Sequence, residues 1–341
     1  QKHSWRRINL RKLLSIGSLS FLLILSSPFI PYSLSYLAPL QVLAQSNNAK
    51  KAQADSLLNQ GNEQFQRSQF EEALQSWQQA LDIYQEIKDR QGEGGALGNL
   101  GNVYHVLGDY PKAIKFQERY LKIAQDIKDR QREGIALSSL GLAYYSLGDY
   151  PKAIEYYERS LKIAQDMKDR EGEGDVMGNL GAAYSSMGDY LKAIEFHERS
   201  LKIAQDVKDR KGEGIALGNL GLAYYSMGDY PKAIEFHERS LKIAQDIKNR
   251  LGEGAALGNL GAAYSSMGDY PKAIELEQQR LKIAQDIKDR NGEGIALGNL
   301  GNAYSSMGYY PKAIDFHERS LKIAQDIKNR LGEGAALGNL G

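Results

Sequence analysis

The 341-residue sequence contains no cysteine, so disulfides, thiolate metal sites and a cysteine nucleophile are excluded within it. Acidic residues are missing from the first 44 positions, which carry Lys2, Arg6, Arg7, Arg11 and Lys12. Setting those aside leaves 38 basic against 42 acidic residues, a slightly acidic remainder. Such a balance lacks the concentrated basic surface that nucleic acid or anionic lipid requires. The apolar run from Leu13 to Leu25, broken only by Ser and Gly, is shorter than the roughly 20 residues a membrane span needs.

That N-terminal stretch has the order of a targeting segment: a basic part to Lys12, the apolar run, then Pro28 and Pro31. Val42-Leu43-Ala44 offers small or medium residues where a signal peptidase cuts. Cleavage is expected after Ala44, making 1–44 a signal peptide and 45–53 a linker, with export to the periplasm or beyond the cell and no membrane contact afterwards. The alternative is an uncleaved segment that anchors the protein in the membrane. Arg6-Arg7 hints at twin-arginine export, but Asn9 stands where that signal prefers an aromatic, which favours the general secretion route.

Beyond it one unit recurs. Gly61, Gly101, Gly141, Gly181, Gly221, Gly261 and Gly301 stand 40 residues apart, and Gly341 is next in the series. In the second unit Leu97, Leu100, Gly101, Tyr104 and Leu107 form a stripe at helical period, and Ala113, Gln117, Tyr120, Leu121, Ala124 and Ile127 form another. Between them Gly108-Asp109-Tyr110-Pro111 supplies a Gly to end one helix and a Pro for the first turn of the next. The pattern predicts an all-α fold of tandem helix-turn-helix units over 54–333, namely 54–93, 94–133, 134–173, 174–213, 214–253, 254–293 and 294–333. Residues 334–341 start an eighth unit, so a longer gene product is expected.

A glycine inside a helix costs about 1 kcal/mol relative to alanine, yet Gly101 and its equivalents lie mid-helix in every unit. Close approach of the second helix is the expected compensation. One hairpin cannot bury both stripes, so each unit must lean on its neighbours and the array becomes a right-handed solenoid.

The spacing Leu220, Gly221, Tyr224, Gly228, Tyr230, Ala233, Leu241 resembles the tetratricopeptide repeat (TPR) signature. Two departures stand out. Gln245 replaces the proline that usually closes the second helix, and the small-residue position holds Ser200, Ser240, Ser320 and even Arg280. The unit is similar to the 40-residue repeats of Pins-type spindle-orientation proteins and to kinesin light chains. It also resembles bacterial exported arrays, some of which continue into a caspase-like CHAT protease domain. The resemblance implies that the first helix of each unit lines the concave side.

Several constellations could suggest chemistry. His197, His237 and His317 occupy equivalent places in different units, too far apart to converge on one ion, and read as partly exposed histidines of the second helix. No histidine has a serine and acid arranged as a triad. Gly92-Glu93-Gly94 and its copies lack the preceding strand and following Gly-Lys-Ser/Thr of a phosphate loop, and read as inter-unit turns. Lys128-Asp129-Arg130 and its copies read as a solvated helix end. Neither a metal, a cofactor nor a catalytic activity is expected.

The exposed faces of the two helices differ. The second shows Lys112, Lys115, Glu118, Arg119, Lys122 and Asp126; the first shows Gly98, Asn99, Asn102, His105 and Val106. Amides both donate to and accept from a peptide backbone. Asn99, Asn179, Asn219, Asn259 and Asn299 form a ladder with one rung per unit, interrupted at Ser139. Asn102, Asn302, His105, Tyr145 and Tyr225 fall on the same surface. These residues are expected to receive a protein or peptide partner; the structural alternative is that the asparagines cap or bridge helices. Two functions stay open: a scaffold gripping an extended segment, and the sensing arm of a larger enzyme such as a CHAT-type protease whose catalytic part lies beyond Gly341. RNA binding of pentatricopeptide type is opposed by the period and the acidic balance.

Overall fold

The computed structural model describes the backbone over 37–341 and side chains over 45–341; the signal-peptide expectation therefore falls almost wholly outside the described residues. Among them are fifteen helices and no strand. They are α1 (Leu37–Gln66), α2 (Phe70–Glu86), α3 (Arg90–Val106), α4 (Tyr110–Asp126), α5 (Arg130–Leu147), α6 (Tyr150–Met167), α7 (Arg170–Ser186) and α8 (Tyr190–Asp206). The series continues with α9 (Arg210–Ser226), α10 (Tyr230–Asp246), α11 (Arg250–Ser266), α12 (Tyr270–Asp286), α13 (Arg290–Ser306), α14 (Tyr310–Asp326) and α15 (Arg330–Leu340). Residues 45–53, expected as a linker, are helical and belong to α1.

Short-range chemistry sets these boundaries. Within a unit, the reversal uses a glycine in the left-handed region, such as Gly148 at φ 85°, which a Cβ would penalise. The next helix is then capped by an aspartate: the Asp109 carboxylate accepts from Lys112 N at 3.2 Å, and Asp149, Asp189, Asp229 and Asp269 do the same. Tyr309 takes this place before α14 and makes no side-chain cap.

Between units the reversal lies elsewhere than expected. Lys88, Lys128, Lys168, Lys208, Lys248, Lys288 and Lys328 adopt positive φ, followed by Asp or Asn caps such as Asp89, whose carboxylate accepts from Gly92 N at 3.0 Å. Gly92-Glu93-Gly94 is accordingly the first turn of α3, not a connecting turn. Lys128-Asp129-Arg130 is itself the connection, since a left-handed residue and an N-cap must precede the helix. It also ties units together. Arg90 bonds Glu93 at 2.7 Å and Asp126 at 2.8 Å, while Gln85 donates to Glu93 at 2.9 Å, joining the ends of α2, α3 and α4.

The core is a ribbon running through Lys50–Gly341. Leu97, Leu100, Val103 and their copies from the odd helices meet Ala113, Ile123, Ala124 and copies from the even ones. Each helix packs on the one before and the one after, as nearest-neighbour stacking demands. The mid-helix glycines are explained by a close approach. A Cβ on Gly101 would lie 2.5 Å from the Gln117 amide, and one on Gly141 or Gly181 would lie 2.5 Å from the ring of Tyr157 or His197. His197, His237 and His317 therefore fill the gap the glycine opens and are buried, correcting the expectation of partial exposure. Leu107, expected in the buried stripe, is exposed beyond the end of α3.

From α3 to α15 each odd helix also touches the next odd helix, whereas no even helix touches the next even one. A stack whose members approach on one side bends toward that side. The odd helices thus form the concave wall and the even helices the convex one.

Candidate binding groove

The even helices carry the charge outward. Between the two helices of a unit Tyr104 of α3 stacks on Phe116 of α4 with centroids 5.4 Å apart, Lys112 of α4 covers the tyrosine and Arg119 the phenylalanine, and the sandwich recurs in most units. These side chains are occupied with one another.

The concave side is built differently. Where an odd helix, its even partner and the next odd helix meet, a recess opens. One of about 280 Å³ has Ile135, Ser139, Ser160 and Asp175 in its wall; another, of about 270 Å³, has Ile215, Asn219, Ser240 and Asn259. A third, of about 190 Å³, has Ile295, Asn299 and Asn302. The serines that depart from the usual small residue have a structural task. Ser160, Ser200, Ser240 and Ser320 donate to the carbonyls of Gly134, Gly174, Gly214 and Gly294 at 2.8–2.9 Å, tying each even helix to the first turn of its odd partner.

The asparagine ladder divides into two kinds of rung. Asn99 donates to Asn62 Oδ1 at 3.0 Å, and Asn62 also accepts from Trp77 Nε1 at 3.2 Å, so this rung bridges units. Asn299 donates to Glu277 Oε1 at 2.7 Å, a second bridge. Asn102 accepts from Gln117 Nε2 at 2.9 Å. By contrast Asn179, Asn219 and Asn259 are half-buried, and their side chains make no hydrogen bond among the described residues. Asn302 is exposed. Some rungs thus bridge neighbouring helices, as the structural alternative expects, and others are unengaged.

The other expected residues lie on this wall as well. His105 Nε2 meets Ser146 Oγ at 2.9 Å, and burial lowers its pKa. Tyr145 and Tyr225 reach across to Ser186 and Ser266 at 3.0 and 2.9 Å, so each phenol is steadied by the following unit. Gly98, expected to be exposed, is covered by the Tyr120 ring, which a Cβ there would approach to 3.2 Å.

Sequence reasoning missed two groups. One is the set of exposed apolar side chains Ile135, Leu142, Ile215 and Leu222 on the same wall. Comparing the units position by position would have revealed them, because most buried positions, the one facing the mid-helix glycine excepted, barely vary while these do. The other is the sixth unit, where Leu276-Glu277-Gln278-Gln279-Arg280 replaces the Phe-His-Glu-Arg-Ser of its neighbours. Glu277 takes the histidine's buried place, and burial raises its carboxyl to a pKa of about 7 against the pull of Arg280, 3.6 Å away. In the histidine units the same burial lowers His197 and His237 to about 4.

A family model described as Tetratricopeptide repeat matches residues 52–126, 92–166, 132–206, 172–246 and 212–286, and a second model of the same description matches 296–331. No curated protein matches the sequence. Among solved structures, the apo form of RapI is similar with a TM-score of 0.66 at 15% identity, over 81% of this chain and 98% of that one. A Rap protein complexed with competence and sporulation factor gives 0.60 at 16% identity, over 86% and 83%. A signal-transduction ATPase with a tetratricopeptide repeat sensor from Pyrococcus horikoshii gives 0.68 at 20% identity, over 83% of this chain and 44% of that one. At these identities the likeness is one of fold.

Proposed function

The chain belongs to the tetratricopeptide repeat family, and on that footing we propose that it is a binding scaffold whose concave wall grips an extended segment of a partner protein. Arrays of this family serve protein interaction in general; the groove and the extended ligand are the specific part of the reading. The observation that carries it is the contrast between the walls. The even helices turn a charged surface outward, with their aromatic rings covered by Lys and Arg, while Asn179, Asn219 and Asn259 present unengaged neutral amides in consecutive units. Three such rungs, each weak, add up when one chain crosses all of them. The Rap protein complexed with a factor is a precedent in this fold for a bound partner.

The test is the joint replacement of Asn179, Asn219 and Asn259 by Ala. Circular dichroism should show an intact helical protein, and capture of exported proteins by affinity pull-down should be lost. Undiminished capture by the folded variant would sink the groove.

A second reading keeps the groove and changes its output: the array senses a ligand on behalf of a larger enzyme, for instance a CHAT-type protease. The sensor array of the Pyrococcus ATPase, within a chain of which this one spans 44%, supports considering it. A His/Cys pair encoded downstream of Gly341 would decide for it. Export through the N-terminal segment belongs to the proposal in both readings, with a membrane anchor as its alternative. Among the described residues no helix is long and apolar enough to cross a membrane.

A further inference from the structure

Apart from the position facing the mid-helix glycine the buried sites of the units are nearly identical, but the side chains of the concave wall alternate between α5 and α9. In α5 the wall positions are Ile135, Leu142 and Tyr145, and in α9 they are Ile215, Leu222 and Tyr225. Ile135 and Ile215 are 52% and 55% exposed. In α13 only Ile295 recurs, with Asn302 and Ser305 at the other two positions. In the intervening α7 and α11 those positions hold Asp175, Ala182, Ser185 and Ala255, Ala262, Ser265. The wall therefore carries apolar ridges on α5 and α9, with low ground on α7 between them.

Ile135, Leu142, Ile215 and Leu222 are each left about half in water and so forgo part of the gain of burial, and they recur in register on one wall. The ridges are also held ready: the Tyr145 and Tyr225 hydroxyls are fastened to Ser186 and Ser266, so little side-chain freedom is lost on binding. The low ground of α7 has one sign of charge. Asp175 faces the recess between the third and fourth units, and burial together with the neighbouring carboxylates of Glu171, Asp209 and Asp169 raises its pKa. No cation among the described residues pairs with it. The low ground of α11 is neutral on the helix itself, and Arg280 beside it is already matched with Glu277.

Geometry converts this into a spacing. Neighbouring odd helices touch, which places their axes ~10 Å apart, and a chain in the polyproline II conformation advances ~3.1 Å per residue with about three residues per turn, so a ridge-to-ridge step spans about six residues, ridge to low ground about three, and all three positions face the same wall.

We propose that the groove selects a segment in the polyproline II conformation carrying two large apolar side chains about six residues apart, with a lysine or arginine about midway between them. The apolar pair sits on Ile135–Leu142–Tyr145 and Ile215–Leu222–Tyr225, and the cation sits over Asp175. This rests on the groove reading above and gives it a register.

The test is selection of a random displayed-peptide library on the full chain, followed by fluorescence anisotropy with an enriched peptide. Enriched peptides should carry the apolar–basic–apolar spacing. Asp175→Lys, which relieves repulsion among the four carboxylates and so leaves the fold sound, should weaken that peptide about tenfold. Replacing the peptide's basic residue by Glu should weaken binding to the parent and restore it to the Asp175→Lys variant. Enriched peptides without the spacing, or indifferent to Asp175→Lys, overturn the register. If those peptides are nevertheless lost in the joint Asn179, Asn219 and Asn259 variant, the groove reading survives. No enrichment at all, or peptides indifferent to both sets of changes, overturns the register and counts against the groove as well.

Discussion

Moderate acid should loosen the middle of the array and tighten the unit next to it. His197 and His237 are buried against Gly181 and Gly221, with Nδ1 of each lacking a hydrogen-bond partner. Protonating either ring would bury a charge and add a donor with nothing to accept it, which is why burial holds their pKa values near 4 rather than 6.5. The unfolded chain takes up these protons first. The stabilising contribution is therefore complete above pH 6.5 and is lost as the pH falls from 6.5 toward about 4. Going from about pH 7 to about pH 5 costs roughly 2 kcal/mol at each histidine. Glu277 has the opposite sign. Its folded pKa of about 7 lies above the ordinary 4.5, so its contribution is complete below 4.5 and is lost as the pH rises through about 7. The same acid step gains roughly 2 kcal/mol there. Because solenoid units open locally, these effects do not simply cancel. Hydrogen exchange, corrected for intrinsic rate and followed by mass spectrometry, should show α8 and α10 losing protection by about thirtyfold while α12 gains it. His197→Gln with His237→Gln, which copies the Gln117 found at the same place in the second unit, should abolish the loss. Glu277→Gln should abolish the gain. Equal behaviour of all three helices, or an unchanged profile in the histidine variant, would refute the assignment of these shifts to burial against the glycines.

Two further perturbations test the packing. Gly141→Ala should destabilise by about 1 kcal/mol in thermal or urea melts, because a Cβ at 2.5 Å from the buried Tyr157 ring outweighs the helical gain. Gly95→Ala in the preceding unit, where no atom lies within 4 Å of the added carbon, should instead stabilise by up to about 1 kcal/mol; opposite signs for the two changes are required. Tyr309→Asp supplies the cap that α4, α6, α8, α10 and α12 have, and should stabilise by about 0.5 kcal/mol after the edge contact with Tyr304 is lost. A variant melting below the parent would show that α14 gains nothing from a carboxylate cap.

The sequence by itself determined what depends on neighbours a few residues away. The 40-residue period, the two helices per unit, the Gly-Asp-Tyr-Pro reversal and the all-α stack all follow from local periodicity and turn chemistry. It also pointed to glycines that make room for a facing helix, which Gly101 and Gln117 bear out. Tertiary structure decided what depends on a residue about 16, 22 or 37 positions away, for which no short-range pattern exists. It buried His197, His237 and His317, because each lies over the glycine of the facing helix. It moved the inter-unit reversal to the lysine at positive φ, since the aspartate that follows is the cap of the next helix. It also split the asparagine ladder, engaging Asn99 and Asn299 because Asn62 and Glu277 happen to face them, and leaving the side chains of Asn179, Asn219 and Asn259 without a hydrogen bond among the described residues. A repeat read one unit at a time tells what each helix is, while the partner of each side chain is set by the unit stacked against it.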